Sequence, residues 1–280
     1  MSKYVLPVKG TLFSLMIWVA LAIASREAYA GEFSFGEEYC DSSTEEKYCA
    51  IDYHYSGKIE SKDVEKFKTM LKNTERRSNS DREVYLQIFL NSKGGDIDAA
   101  LKIGKLIRVH QMQTLVFDEC NSSCVIVFAS GVRRYANIEL WGPIPNGAKV
   151  GIHRPYTTAE GSYEKHRHKF REVERQIKQF LREGGVSERL WDDMVKISPE
   201  NIKFLSQKEA IDYGLNGEDP AYADFVDGKK AKQYGITRAK YLKRKAMIKE
   251  KCESNTQVLA DTTGKELQQC KQNILHGRAP

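Results

Sequence analysis

No stretch of this 280-residue chain is both uncharged and long enough to cross a bilayer. The apolar stretch that comes nearest is residues 10–25, between Lys9 and Arg26. It falls short of the roughly 20 residues that a membrane-spanning helix needs. Lys3 and Lys9 precede it, and Ala28-Tyr29-Ala30 follows. A basic start, a short apolar core and a small-residue A-x-A site form the pattern of a secretory signal peptide. The expectation is a leader over residues 1–30, cleaved after Ala30, and a periplasmic or secreted product. Left uncleaved, the same stretch would anchor the chain to a membrane. Removal leaves residues 31–280, enough for one sizeable α/β core.

A second absence concerns metals. No histidine stands at ligand spacing beside any cysteine, which argues against a zinc site and for no metal or cofactor. The six cysteines (Cys40, Cys49, Cys120, Cys124, Cys252, Cys270) all lie beyond the leader. An even number in an oxidising compartment points to disulfides. Six cysteines allow 15 pairings; the simplest are the local ones, Cys40–Cys49, Cys120–Cys124 and Cys252–Cys270.

The chain also has no internal repeat and no low-complexity tract, and no stacking-aromatic pattern accompanies its positive charge. The net charge is +6, and its source is local: residues 229–251 hold ten Lys/Arg and one acid, Glu250. Without the aromatics, and in an exported protein, nucleic acid is not the expected partner. A basic helical tail over 229–280 would touch an anionic envelope surface, or would be a solvated helix packed by Tyr234, Ile236, Tyr241, Leu242, Met247 and Ile248.

Periodicity orders the rest. Residues 31–56 are acidic and without clear period, and read as a lead-in loop or short strand. DVEKFKTMLKN places Val64, Phe67, Met70 and Leu71 at helical spacing. EVYLQIFLNS reads as a buried strand, ended by Lys93-Gly94-Gly95. A helix follows with Ile97, Leu101, Gly104 and Ile107 on one face, then a strand at QTLVF, the turn CNSSC, an apolar helix at VIVFASG and a strand at AKVGIH. Three helices are expected beyond: about 161–183, ERLWDDMVKI, and one capped by Ser206 with Glu209 at capping-box spacing. Alternating α and β elements imply a mainly parallel sheet with flanking helices, a single α/β domain over 57–228.

Four blocks in this order carry a resemblance: LNSKGGDIDAALKIGKLIR, CNSSCVIVFASGVRR, VGIHRPY and KFLSQKEAIDYGL. Together they resemble the Clp protease proteolytic subunit and its crotonase-fold relatives, and most of all an exported, cysteine-bearing branch of them. The similarity runs from about Gly57 to Gly217. It implies a Clp protease/crotonase-like fold and a serine peptidase acting on peptides or unfolded proteins. Ser122, nine residues before Gly131, matches the nucleophile, and His153 matches the catalytic histidine. Two departures stand out: Lys93 replaces the usual Pro, and Ile202 occupies the place of the acid that orients the histidine. Asn201 or Glu200 would then be the third member, or the site is a Ser–His dyad. ELWGPIPNG, between the serine and the histidine, is an addition to the compact pattern.

A serine hydroxyl needs a base within hydrogen-bond reach and donors for the oxyanion. The N–H of Ser123 and that of Gly95, with Gly94 as the alternative, are the expected donors, since glycine lets backbone approach substrate closely. An exported enzyme meets no ATP pool, so no ATPase partner is expected. Family members assemble into rings, so a homo-oligomer is a further expectation, though the helix after the histidine is heavily charged. The alternative is a catalytically weak or inactive scaffold of the cell envelope on the same fold.

Overall fold

The computed structural model describes residues 31–41, 48–75, 83–136, 147–155, 163–253 and 264–279. The leader (1–30) and nearly all of ELWGPIPNG lie outside the described residues. Eight strands form one sheet in the order β1-β2-β3-β4-β5-β8, with β6 on β4 and β7 on β6. The strands are β1 (Glu32–Asp41), β2 (Tyr48–Ser56), β3 (Glu83–Ser92), β4 (Gln113–Asn121), β5 (Arg133–Tyr135), β6 (Lys149–Ile152), β7 (Lys203–Phe204) and β8 (Gly217–Glu218). The pairs β2/β3, β3/β4, β4/β5 and β4/β6 are parallel, while β1/β2, β5/β8 and β6/β7 are antiparallel. The helices are α1 (Asp63–Glu75), α2 (Ile97–Val109), α3 (Cys124–Ala129), α4 (Tyr163–Glu183), α5 (Arg189–Met194), α6 (Gln207–Asp212), α7 (Pro220–Gln233), α8 (Arg238–Ile248) and α9 (Gly264–His276). This is the expected α/β sheet with flanking helices.

The apolar faces go where their spacing sends them. Val64, Phe67 and Leu71 of α1 are buried, with Met70 packed partly against the core. Leu101, Gly104 and Ile107 of α2 face inward, and Asp96 caps that helix by accepting from the Ala99 N–H. The core continues through Ile88 and Leu90 of β3 and the wholly buried α3.

Besides the two-residue strands β7 and β8, which no period foretells, two segments differ from the sequence expectation. Residues 31–56 hold two long strands rather than a loop or one short strand. In β2 Cys49, Ile51, Tyr53 and Tyr55 are buried and alternate with half-buried Ala50, Asp52 and His54, the period of a strand with one face on a core. The period in β1 is hidden because most of its residues are exposed. β5, unforeseen, is three residues long and held by Arg134, which is fully buried. Its guanidinium donates to the carbonyls of Gly131, Gly184 and Gly214, and burial lowers its pKa to about 10.

The three local disulfides are present: Cys40–Cys49, directly opposed in the β1/β2 register, Cys120–Cys124 and Cys252–Cys270. The basic segment is helical. Its composition changes at 229, inside α7 rather than between elements. α8 packs on α7 and α9, Lys245 pairs with Asp227 at 2.8 Å, and Ile248 and Ile274 are buried, whereas Met247 is exposed. Among the described residues no helix is long and apolar enough to cross a membrane.

Candidate active site

β4 divides its far edge between two partners. Its first half pairs with β5 (Gln113↔Arg133 to Leu115↔Tyr135), and its last residues pair with β6 (Glu119↔Lys149 to Asn121↔Gly151). The parallel β4/β6 register brings Ser122, one residue past β4, and His153, one residue past β6, to the same sheet end. Strand C-terminal ends are where open α/β sheets bind ligands. The Ser122 N–H donates to the Gly151 carbonyl at 2.9 Å, locking the two strand ends together.

Ser122 lies in the turn before the helix, within the CNSSC turn that the sequence predicts. It stands two residues before α3 with φ of 57°, in the left-handed region. Few non-glycine residues sit there, and such backbone clusters at functional sites. Ser123 takes the N-cap place and is only 2% exposed. Its Oγ is buried without a hydrogen-bond partner among the described residues. Ser122 is the more exposed of the two. The Cys120–Cys124 bridge spans the turn that carries it.

Gly94 lies against this turn, and Gly95 against the backbone of Ile59. A Cβ on Gly94 would stand 2.7 Å from Ser122 Cβ, 2.7 Å from the Asn121 carbonyl and 3.1 Å from the Ser123 nitrogen. Gly95 bridges Ile59: Ile59 N–H donates to the Gly94 carbonyl (3.0 Å), and Asp96 N–H donates to the Ile59 carbonyl (2.9 Å). In a parallel bridge of this form the N–H of the middle residue, Gly95, points away from Ile59. Among the described residues no backbone hydrogen bond uses the N–H of Gly95 or Ser123 as donor. Lys93 is 82% exposed, with its Nζ 3.7 Å from Glu119.

His153 is 7% exposed, and its Nδ1 is 2.9 Å from the Arg154 carbonyl. The residues weighed as a third member engage another group. Asn201 donates from its side chain to Ser198 Oγ at 2.9 Å, not to His153. The Ser198 hydroxyl, with the Arg154 charge as a lesser contribution, holds the exposed Glu200 carboxyl below its ordinary range. In β6/β7, Gly151 pairs with Phe204 and Ile152 with Lys203; one step further along this register places Ile202 opposite His153. Ile202 is 45% exposed, and its Cγ2 lies 2.7 Å from where a Cβ on Gly151 would be.

The segment bearing position 202 is tied down at its other end by the capping box of α6. Glu209 accepts from the Ser206 N–H and pairs with Lys203 at 2.6 Å. Lys203 first, then Ser206, pull its carboxyl down to about 2. A folded-state pKa below the unfolded value adds stability that is complete above about 4.5 and is lost as pH falls towards about 2. Glu209→Gln is therefore expected to flatten the fall in melting temperature between about pH 4.5 and 2.5 relative to the parent, read by thermal denaturation across that range.

Strand-end serine, neighbouring histidine and glycine turn, on a sheet with this order of elements, define a Clp/crotonase-type α/β protein. A family model described as Clp protease matches residues 53–218, more than half of the chain, and the chain belongs to the Clp protease family. The match starts inside β2 and ends with β8, so it covers the sheet around the site and stops before α7. No curated protein matches the chain. Membership of this family points to a peptidase of the Clp type.

Proposed function

We propose that the protein is an exported Clp-like serine peptidase that works through a Ser122–His153 dyad without an ATPase partner. One observation carries the reading: Ser122, held at positive φ, donates its N–H to Gly151 in the strand that leads into His153, with Gly94 pressed against its Cβ. In the first half-reaction Ser122 Oγ attacks the carbonyl carbon of a peptide bond, and His153 takes the hydroxyl proton. The oxyanion lies between the N–H groups of Gly95 and Ser123. When the C–N bond breaks, His153 returns the proton to the leaving amine, and water repeats the sequence on the acyl-enzyme. Asn201 and Glu200 were the sequence candidates for a third member; their hydrogen bonds to Ser198 favour the dyad.

Export is supported by the leader pattern ending at Ala30 and by three disulfides, which fit an oxidising compartment. The substrates are peptides or unfolded protein segments. The basic face of the C-terminal helices would hold the enzyme at an anionic envelope surface, and self-assembly follows from the family. Ile202 in the place of the orienting acid favours a second reading, a scaffold of little turnover. A fluorophosphonate probe separates the two. Labelling of the folded, oxidised protein at Ser122, lost in Ser122→Ala and in His153→Ala, is the expected result. No labelling of the parent protein would favour the scaffold.

A further inference from the structure

We infer that the main-chain carbonyl of Arg154 stands in for the missing acid and holds His153 in the form that acts as a base. The inference rests on the proposed Ser122–His153 pair and adds how that pair works without a carboxylate. The contact is direct, 2.9 Å from Nδ1 to the carbonyl oxygen. A carbonyl only accepts, so Nδ1 carries the hydrogen, and Nε2 keeps the lone pair that a general base needs. When His153 takes the serine proton, the same contact becomes a charge-assisted hydrogen bond, stronger than before.

The carbonyl is well fixed. The Arg154 N–H donates to the Ile197 carbonyl at 2.8 Å, tying the residue to the segment that leads into β7. Pro155 follows, and a residue before proline is confined to extended backbone. The three side chains weighed for the acid's place do not take that contact. Ile202 is apolar and stands opposite His153 by register, and Asn201 and Glu200 engage Ser198. Arg154 is thus a positioning residue that acts through its backbone. A carbonyl fixes the tautomer as an acid does, but it lacks the negative charge that stabilises imidazolium.

Two measurements on the processed, oxidised protein test this. Nitrogen-15 NMR of the labelled imidazole is expected to show His153 neutral with Nδ1 protonated and Nε2 bare. Ile202→Asp is expected to raise the rate of probe labelling at Ser122 by about tenfold, and to move the ascending, low-pH limb of the pH–rate profile to higher pH, because a carboxylate opposite the ring favours its charged form. Ile202→Asn, which adds no charge, is expected to leave that limb in place and checks that a polar group at this half-exposed position is tolerated. A wild-type imidazole protonated at Nε2, with Ser122 still labelled, overturns the role of Arg154 and leaves the hydrolase standing. An Ile202→Asp variant that matches Ile202→Asn in rate and profile also overturns it. If Ser122 is not labelled at all, both readings fall together.

Discussion

Gly94→Ala is expected to leave the protein folded and to slow acylation of Ser122 by about 10²–10³-fold, the cost of losing an oxyanion donor. The reason lies in where the new methyl would go. It would meet Ser122 Cβ and the Asn121 carbonyl at 2.7 Å, and the nitrogen of Ser123 at 3.1 Å. The last of these is an N–H that the proposed mechanism leaves for substrate, so the methyl would occupy the approach to it. Gly94 also has φ of 95°, which an alanine can hold only at a cost of about 1–3 kcal/mol, and the contact with the Asn121 carbonyl forces a further local shift; the variant is expected to melt below the parent while still folded at the assay temperature. Gly95→Ala makes an informative contrast. Its Cβ would fall 2.2 Å from the Ile59 carbonyl and 2.9 Å from the Ile59 nitrogen, forcing apart the bridge that joins the glycine turn to the segment after β2. That variant should lose stability first. Probe-labelling kinetics beside thermal melts of the two proteins measure the difference. Wild-type labelling of Gly94→Ala would mean that the space beside Ser122 is not used in the reaction.

The parts of this site that were legible in the sequence are those written in side chains at fixed spacing. Ser122 and Gly131, the VGIH strand end and the Ser206–Glu209 capping box each leave a local pattern, and the alternating elements place the first two at one end of a parallel sheet. The local cysteine pairs were legible for the same reason. What sequence could not carry is written in backbone. The acceptor at His153 Nδ1 is a carbonyl, which any residue at 154 would supply. The positive φ of Ser122 comes from a turn clamped between a strand, a helix and a disulfide, not from a residue that prefers that conformation. β5 is too short to show a period, and its anchor is a buried arginine, a residue type that usually signals surface. β2 is a different case: the alternation of Cys49, Ile51, Tyr53 and Tyr55 is in the sequence, but it runs straight on from an acidic neighbour that has no period.

Removing the Cys120–Cys124 bridge is expected to harm activity far more than its share of stability would suggest. In the chain-entropy account a bridge across four positions restrains the unfolded chain by only about 2 kcal/mol, and one across eighteen positions by about 3 kcal/mol. By that measure Cys252–Cys270 is the stronger staple. The two bridges hold different things, however. Cys252–Cys270 joins the end of the basic helical segment to α9, past the last residue of the family match. Cys120–Cys124 ties the end of β4 to the first turn of α3, with both cysteines fully buried and Ser122 between them in the left-handed region. A serine that drifts by about 1 Å from its working position can cost on the order of 10²-fold in rate. The paired substitutions Cys120→Ala with Cys124→Ala should therefore melt slightly below the parent and label at Ser122 on the order of 10²-fold more slowly. Cys252→Ala with Cys270→Ala should melt lower still and label at the parental rate while folded. Mass-spectrometric labelling rates at a temperature where all three proteins are folded decide the matter. Parental labelling of the first variant would show that β4 and α3 position Ser122 by packing alone, and that the bridge serves only stability.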